Sequence, residues 1–310
     1  MDKQPILHHF SVPFKLVVLG IIIFSSIILV MITGIVIAAP FVGGDIMQQL
    51  TRVGTSFDPE TIALSKYIQI LSQLGIFIIP VLFFAFLENR KIGAYLSLNT
   101  YAHFKTFIVA AIAIIVSTPI INFLGEINQQ MNFPASLNNI EQWMKESEES
   151  AAKLTIAFLN VETMGGLLIN LLMIAIIPAI GEEFLFRGVL QKLFIQWTQN
   201  VHVSVIISAF IFSAIHLQFY GFIPRFLMGV YLGYAFVWTG SLWVPIVIHF
   251  VNNATAVIVT FFSSRAFGEN AIDTIGTGNS SKYVVILSFL FTSSFIYLLY
   301  KFAHKPKSII

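Results

Sequence analysis

The 310-residue chain has no cysteine. That removes disulfides, thiolate metal sites, iron–sulfur clusters and a cysteine nucleophile together, and leaves any chemistry to oxygen and nitrogen groups. Charge is the second scarcity. Charged residues make up 10% of the chain, 17 basic against 15 acidic, while 57% is hydrophobic. A soluble chain of this length needs far more charge to cover its surface, so the bilayer is the expected solvent. A net charge of +2 with no basic stripe among aromatics excludes nucleic acid as a partner. Long-period repeats, low-complexity tracts and separating linkers are also missing, so residues 1–310 read as a single membrane domain.

What is present is a succession of apolar runs. A crossing needs about 20 apolar residues, and the chain supplies about eight such runs, near 14–38, 66–87, 104–124, 164–186, 202–220, 224–240, 242–263 and 283–303. The expected fold is an all-α polytopic membrane helix bundle. The first run is longer than a signal-peptide core of about 7–15 residues, so a retained helix is the better reading than a cleaved leader. Arg90, Lys91 and Lys105 share one side with the termini and Lys301, Lys305 and Lys307; Asp45, Asp58, Glu60 and the acidic stretch Glu141–Glu149 share the other. The positive-inside rule then predicts cytoplasmic N- and C-termini, in the plasma membrane. Residues 143–153 read as a solvated helix or loop with a Glu149–Lys153 pair, a substrate-gating lid being the minority reading.

Charges inside spans are the informative exceptions, because each costs on the order of 3 kcal/mol to insert. Glu182, Glu183 and Arg187 interrupt a run otherwise apolar from Leu167 to Leu190. On a helix Glu183 and Arg187 are i, i+4 neighbours in the favourable order for an ion pair, and Glu182 points about 100° away without that partner. An unpaired, desolvated carboxylate near a fixed cation suits a general base. Two later spans carry Phe212 with His216, and His249 with Asn253, each pair at i, i+4. Depth at about 1.5 Å per residue brings Glu182, His216 and His249 to a common level, where they would share one cavity. Gly229 and Gly233 form a GxxxG pair that reads as helix packing.

These residues resemble a known family. Glu182-Glu183-xxx-Arg187, Phe212-xxx-His216 and His249-xxx-Asn253, in this order, look like the EExxxR, FxxxH and HxxxN signatures of the CPBP (Abi) intramembrane proteases, which include the type II CAAX prenyl proteases. The resemblance covers roughly 165–260, the expected protease core. It implies an endopeptidase acting on a membrane-associated peptide or protein, with Glu182 activating water beside His216, His249 and Asn253 stabilising the oxyanion, and Glu183, Arg187 and Phe212 in support. Glu182, His216 and His249 also have the chemistry of three N/O ligands to a catalytic zinc, although no HExxH spacing occurs, so zinc and metal-free catalysis both stay open. Two rival readings place the same residues in other roles: a proton-coupled transporter, and a non-catalytic immunity or scaffold protein in the membrane.

Overall fold

The computed structural model describes residues 5–42, 45–131, 134–266, 277 and 282–303. Lys3, His304, Lys305 and Lys307 lie outside the described residues. Among the described residues the fold is all helix, with no strand. The helices are α1 (Val12–Ala38), α2 (Ile46–Arg52), α3 (Pro59–Glu88), α4 (Phe104–Val116), α5 (Thr118–Gln129), α6 (Asn138–Leu159), α7 (Met164–Thr198), α8 (Val201–Ala214), α9 (Phe222–Thr239), α10 (Trp243–Ala266) and α11 (Lys282–Phe302).

Local chemistry sets their ends. Asp58 caps α3, accepting from the Thr61 N–H and hydroxyl, from Ser56 Oγ and from Arg52. The Ser56 hydrogen bond, then those from Thr61, hold the Asp58 carboxyl well below the usual carboxylate range. Asn200 caps α8 through the N–H groups of His202 and Val203, directly after Gln199 has closed α7 in a left-handed turn. Gly240, at φ +65°, ends α9, where a residue without Cβ takes that conformation at no steric cost.

Six helices are long and apolar enough to cross a membrane, or seven if the bent pair α4 and α5 counts as one span. The expected count of about eight is not reached by length and composition among the described residues. The expected run at 202–220 is not among these candidates. Its helix α8 has 14 residues, roughly 21 Å at 1.5 Å per residue, short of a hydrocarbon core of about 30 Å. The chain leaves α8 after Ala214 and doubles back into α9. The third span bends by 43° where Pro119 follows the break at Ser117.

Helix α1 and helix α11 bury little of their surface and lie at the periphery, while α3, α7 and α10 carry the buried core. A buried Lys15–Glu88 pair, 2.9 Å apart, ties α1 to α3. Gly229 and Gly233 behave as packing positions: a Cβ on Gly229 would stand 3.0 Å from Ala209, and one on Gly233 2.9 Å from Val205. The same bareness leaves their carbonyl oxygens open to α7, and they accept from Arg187 and Gln191.

Candidate functional site

Helix α7 is wound unevenly around its acidic pair. Its backbone widens into π-type turns over Leu171–Ile176 and Phe184–Leu190, and Glu182 and Glu183 fall in the α-helical stretch between them. Pro178 sits in that stretch and has no N–H for the carbonyl four residues earlier, Ile174 O. Asn253 Nδ2 on α10 donates to that oxygen at 3.0 Å. One break in α7 therefore creates an anchor for α10, and the Asn253 amide keeps its second hydrogen.

The acidic pair divides as its helical phase requires. Glu183 is fully buried, and its Oε1 accepts both from Arg187 Nη1 at 2.7 Å and from His249 Nδ1 at 2.9 Å. Arg187, also fully buried, uses Nη2 on Gly229 O, so it joins α7 to α9 while Glu183 joins α7 to α10. Glu182 points the other way, into a cavity of about 640 Å³ that His216, His249 and Asn253 also line. Its Oε2 has no hydrogen-bond partner among the described residues and lies 4.0 Å from His216 Nε2 and 3.9 Å from His249 Nε2.

His216 stands two residues beyond the end of α8 rather than deep inside a span. Its Nδ1 faces Phe212 O at 2.8 Å, and since a carbonyl only accepts, Nδ1 carries the proton and Nε2 offers its lone pair toward Glu182. Phe212 packs against both histidines, with ring centroids 5.3 Å from His216 and 5.9 Å from His249, and the Arg187 guanidinium lies 4.8 Å from its ring centre. The structure thus brings together all seven residues singled out in the sequence: Glu182, His216, His249 and Asn253 on the cavity, with Glu183, Arg187 and Phe212 packed around them.

Three further cavity residues escaped the sequence reading. Gln73 on α3 lies against Glu182, and Gln69, one turn earlier, lines the cavity beside it. Two amides at i, i+4 inside an apolar run were the available signal. The third is Arg225, in the first turn of α9, which belongs to no sequence motif.

Helix α6 roofs the cavity. Ala151, Leu154, Thr155 and Phe158 face inward, and ion pairs Glu141–Lys145 and Glu149–Lys153 lie on its outer surface. One end of the helix is held where Lys66 Nζ and Asn170 Nδ2 both donate to Phe158 O; toward the other, Trp143 packs on Phe219 and Glu148 accepts from the Tyr220 N–H. An apolar groove of about 450 Å³ between α3, α7 and α8 meets the cavity at Gln69, Gln73, Glu182 and His216.

The donor set suits zinc in chemistry but not in placement. Tetrahedral bonds of about 2.0–2.1 Å put neighbouring ligand atoms roughly 3.4 Å apart, whereas Glu182 Oε2 stands 3.9 and 4.0 Å from the two imidazole nitrogens. Among the described residues no group of three such side chains is arranged to hold a metal ion.

Residues 164–255 match the family described as type II CAAX prenyl endopeptidase Rce1-like. Over 99 residues the chain is 38% identical to the membrane-embedded CAAX protease MroQ of Staphylococcus aureus, covering 30% of this chain and 40% of that protein. Over 89 residues it is 32% identical to the uncharacterized protein YpbD of Bacillus subtilis, covering 27% and 42%. The chain thus spans about two fifths of the length of these curated relatives. No solved structure matches it. With its six or seven candidate spans, this is an integral membrane protein.

Proposed function

We propose that this chain, which over residues 164–255 is Rce1-like and of the CPBP family, is an intramembrane endopeptidase that hydrolyses peptide bonds of membrane-associated substrates. The observation that carries the reading is the spacing of Glu182 and His216: two acceptor atoms, 4.0 Å apart and turned toward each other in a cavity. That gap is too long for a direct hydrogen bond and right for one water molecule donating a hydrogen to each. Glu182 then takes the water's proton as its oxygen attacks the substrate carbonyl, and delivers it to the leaving amine. His216, locked as the Nδ1–H tautomer, aims the water.

His249 and Asn253 act on the charge that develops. Held by Glu183 through Nδ1, the His249 ring turns its Nε2 toward the cavity beside Glu182. Asn253, fixed by its bond to Ile174 O, offers its second amide hydrogen. Donors fixed in advance where an oxyanion forms need no reorganisation at the moment of reaction. Residues 165–260 make up this core. The apolar groove that opens onto Glu182 and His216 accommodates the hydrophobic part of a substrate drawn from the bilayer.

Comparative proteomics of membranes from cells carrying wild-type or Glu182→Gln protein tests the function. A membrane-associated species that accumulates uncleaved in the variant is expected. Identical peptide termini in both, together with a solute or proton flux that depends on Glu182, would replace the protease reading by the transporter reading.

The same reading places the termini in the cytoplasm of a plasma-membrane protein and α6 on the opposite face. The native chain has no cysteine, which makes labelling unambiguous. A membrane-impermeant thiol reagent applied to intact cells should modify Glu148→Cys and leave Lys91→Cys untouched; the opposite pattern would invert the topology.

A further inference from the structure

Arg225 is a cation that this chemistry leaves unused. It lies in the first turn of α9, on the wall of the cavity that holds Glu182 and His216. The N-terminal end of a helix carries partial positive charge, so a cation there gains nothing from the helix dipole. Ion pairing does not account for it either: among the described residues Arg225 has no carboxylate partner at ion-pair distance.

What holds it is an amide. Nη1 donates to Gln218 O at 3.2 Å and Nη2 to Gln218 Oε1 at 2.7 Å, while Gly221 sits so close that a Cβ there would come within 3.0 Å of Nη2. Two of five N–H donors are used in this clamp, and no guanidinium nitrogen of Arg225 is buried without a partner, unlike Arg187 Nε. Three donors are left for a ligand, and the residues of the clamp all line the cavity. The Arg225 charge acts on Glu148 of the roof helix α6 and, at the reacting end of the cavity, on Glu182 and His216. A clamped, half-buried guanidinium with no carboxylate at ion-pair distance has the planar fork that matches one, and a bound carboxylate would stand closer to it than Glu148 does.

We infer that Arg225 is a specificity-determining residue that binds a carboxylate of the peptide substrate while a nearby peptide bond lies against Glu182. The inference rests on the endopeptidase reading. A carboxylate reaches this position from a peptide C-terminus or from an Asp or Glu side chain.

Equilibrium binding separates these sources without turnover. The full-length Glu182→Gln protein in lipid nanodiscs is titrated with three fluorescein-labelled pools of randomised hexapeptides: free-acid peptides lacking Asp and Glu, the same peptides as C-terminal amides, and amides carrying one central Asp. One carboxylate pool is expected to bind about 10-fold or more tighter than the plain amides. Preference for the free acids assigns the site to a C-terminus, and preference for the Asp pool to a side chain. Adding Arg225→Gln should abolish the preference, and Arg225→Lys should keep part of it. Equal affinity for the three pools, no binding of any, or a preference that survives Arg225→Gln overturns the inference. If Arg225 only braces the 215–221 turn, Arg225→Gln weakens all three pools alike. The endopeptidase reading fails separately, when the preference is present and the wild-type protein cleaves none of the peptides.

Discussion

Purified Glu182→Gln protein should hydrolyse peptide bonds about 1,000-fold more slowly than wild type while folding to the same yield. Proton transfer by a placed side chain contributes typically 10²–10⁴-fold, and the glutamine fills the same volume without being able to take a proton. The fold does not depend on this charge: Glu182 Oε2 has no hydrogen-bond partner among the described residues, and the cavity gives the amide room to turn. The neighbouring position is the control. Glu183→Gln keeps an acceptor for His249 Nδ1–H but leaves Arg187 without its counter-charge, so that variant should lose folded protein as well as rate. The residual activity should be read in single-turnover mode at matched protein levels, with and without prior chelation. Wild-type rates in Glu182→Gln would end its assignment as the base, and a wild-type rate lost on chelation and restored by zinc would end the metal-free route.

The second large effect is on stability. Arg187→Met should cost about 3–5 kcal/mol, because it takes the guanidinium from the fully buried Glu183 carboxylate, leaving it only His249, and cuts the bond to Gly229 O. Pairing it with Glu183→Leu should restore most of that loss, since a buried ion pair replaced by apolar side chains of similar volume is often neutral. Activity should not return with the fold. His249 Nδ1 then has no carboxylate to set its ring, and Nε2 is free to rotate off the cavity. Thermal unfolding in detergent measures the first effect and turnover the second. A double variant as unstable as Arg187→Met alone would show that the cluster acts as a network larger than the pair. A double variant with normal turnover would make Glu183 a packing residue only.

Much of this was legible in one dimension for a definite reason. A span is a run of about 20 apolar residues whatever surrounds it, so the helices appear in the expected places and the charges among them stand out. Helical phase is equally local: that Glu183 pairs with Arg187 while Glu182 points elsewhere follows from 100° per residue, and the 2.7 Å ion pair has that geometry. The sequence by itself therefore determined the all-helical membrane fold and the division of the acidic pair. Tertiary structure decided what depends on neighbours far along the chain. The run at 202–220 is apolar enough to cross, yet its helix stops at Ala214, because whether such a run continues or turns back depends on the helices beside it. Pro178 has no N–H for the Ile174 carbonyl, but which donor would take that oxygen was settled only when α10 placed Asn253 there. Gln73 meets Glu182 across 109 positions of sequence (182 − 73), and Arg225 becomes a cavity cation only because the turn after α8 folds Gln218 back onto it. Periodicity records which way a side chain points from its own helix; contact with another helix depends on packing, which no local pattern encodes.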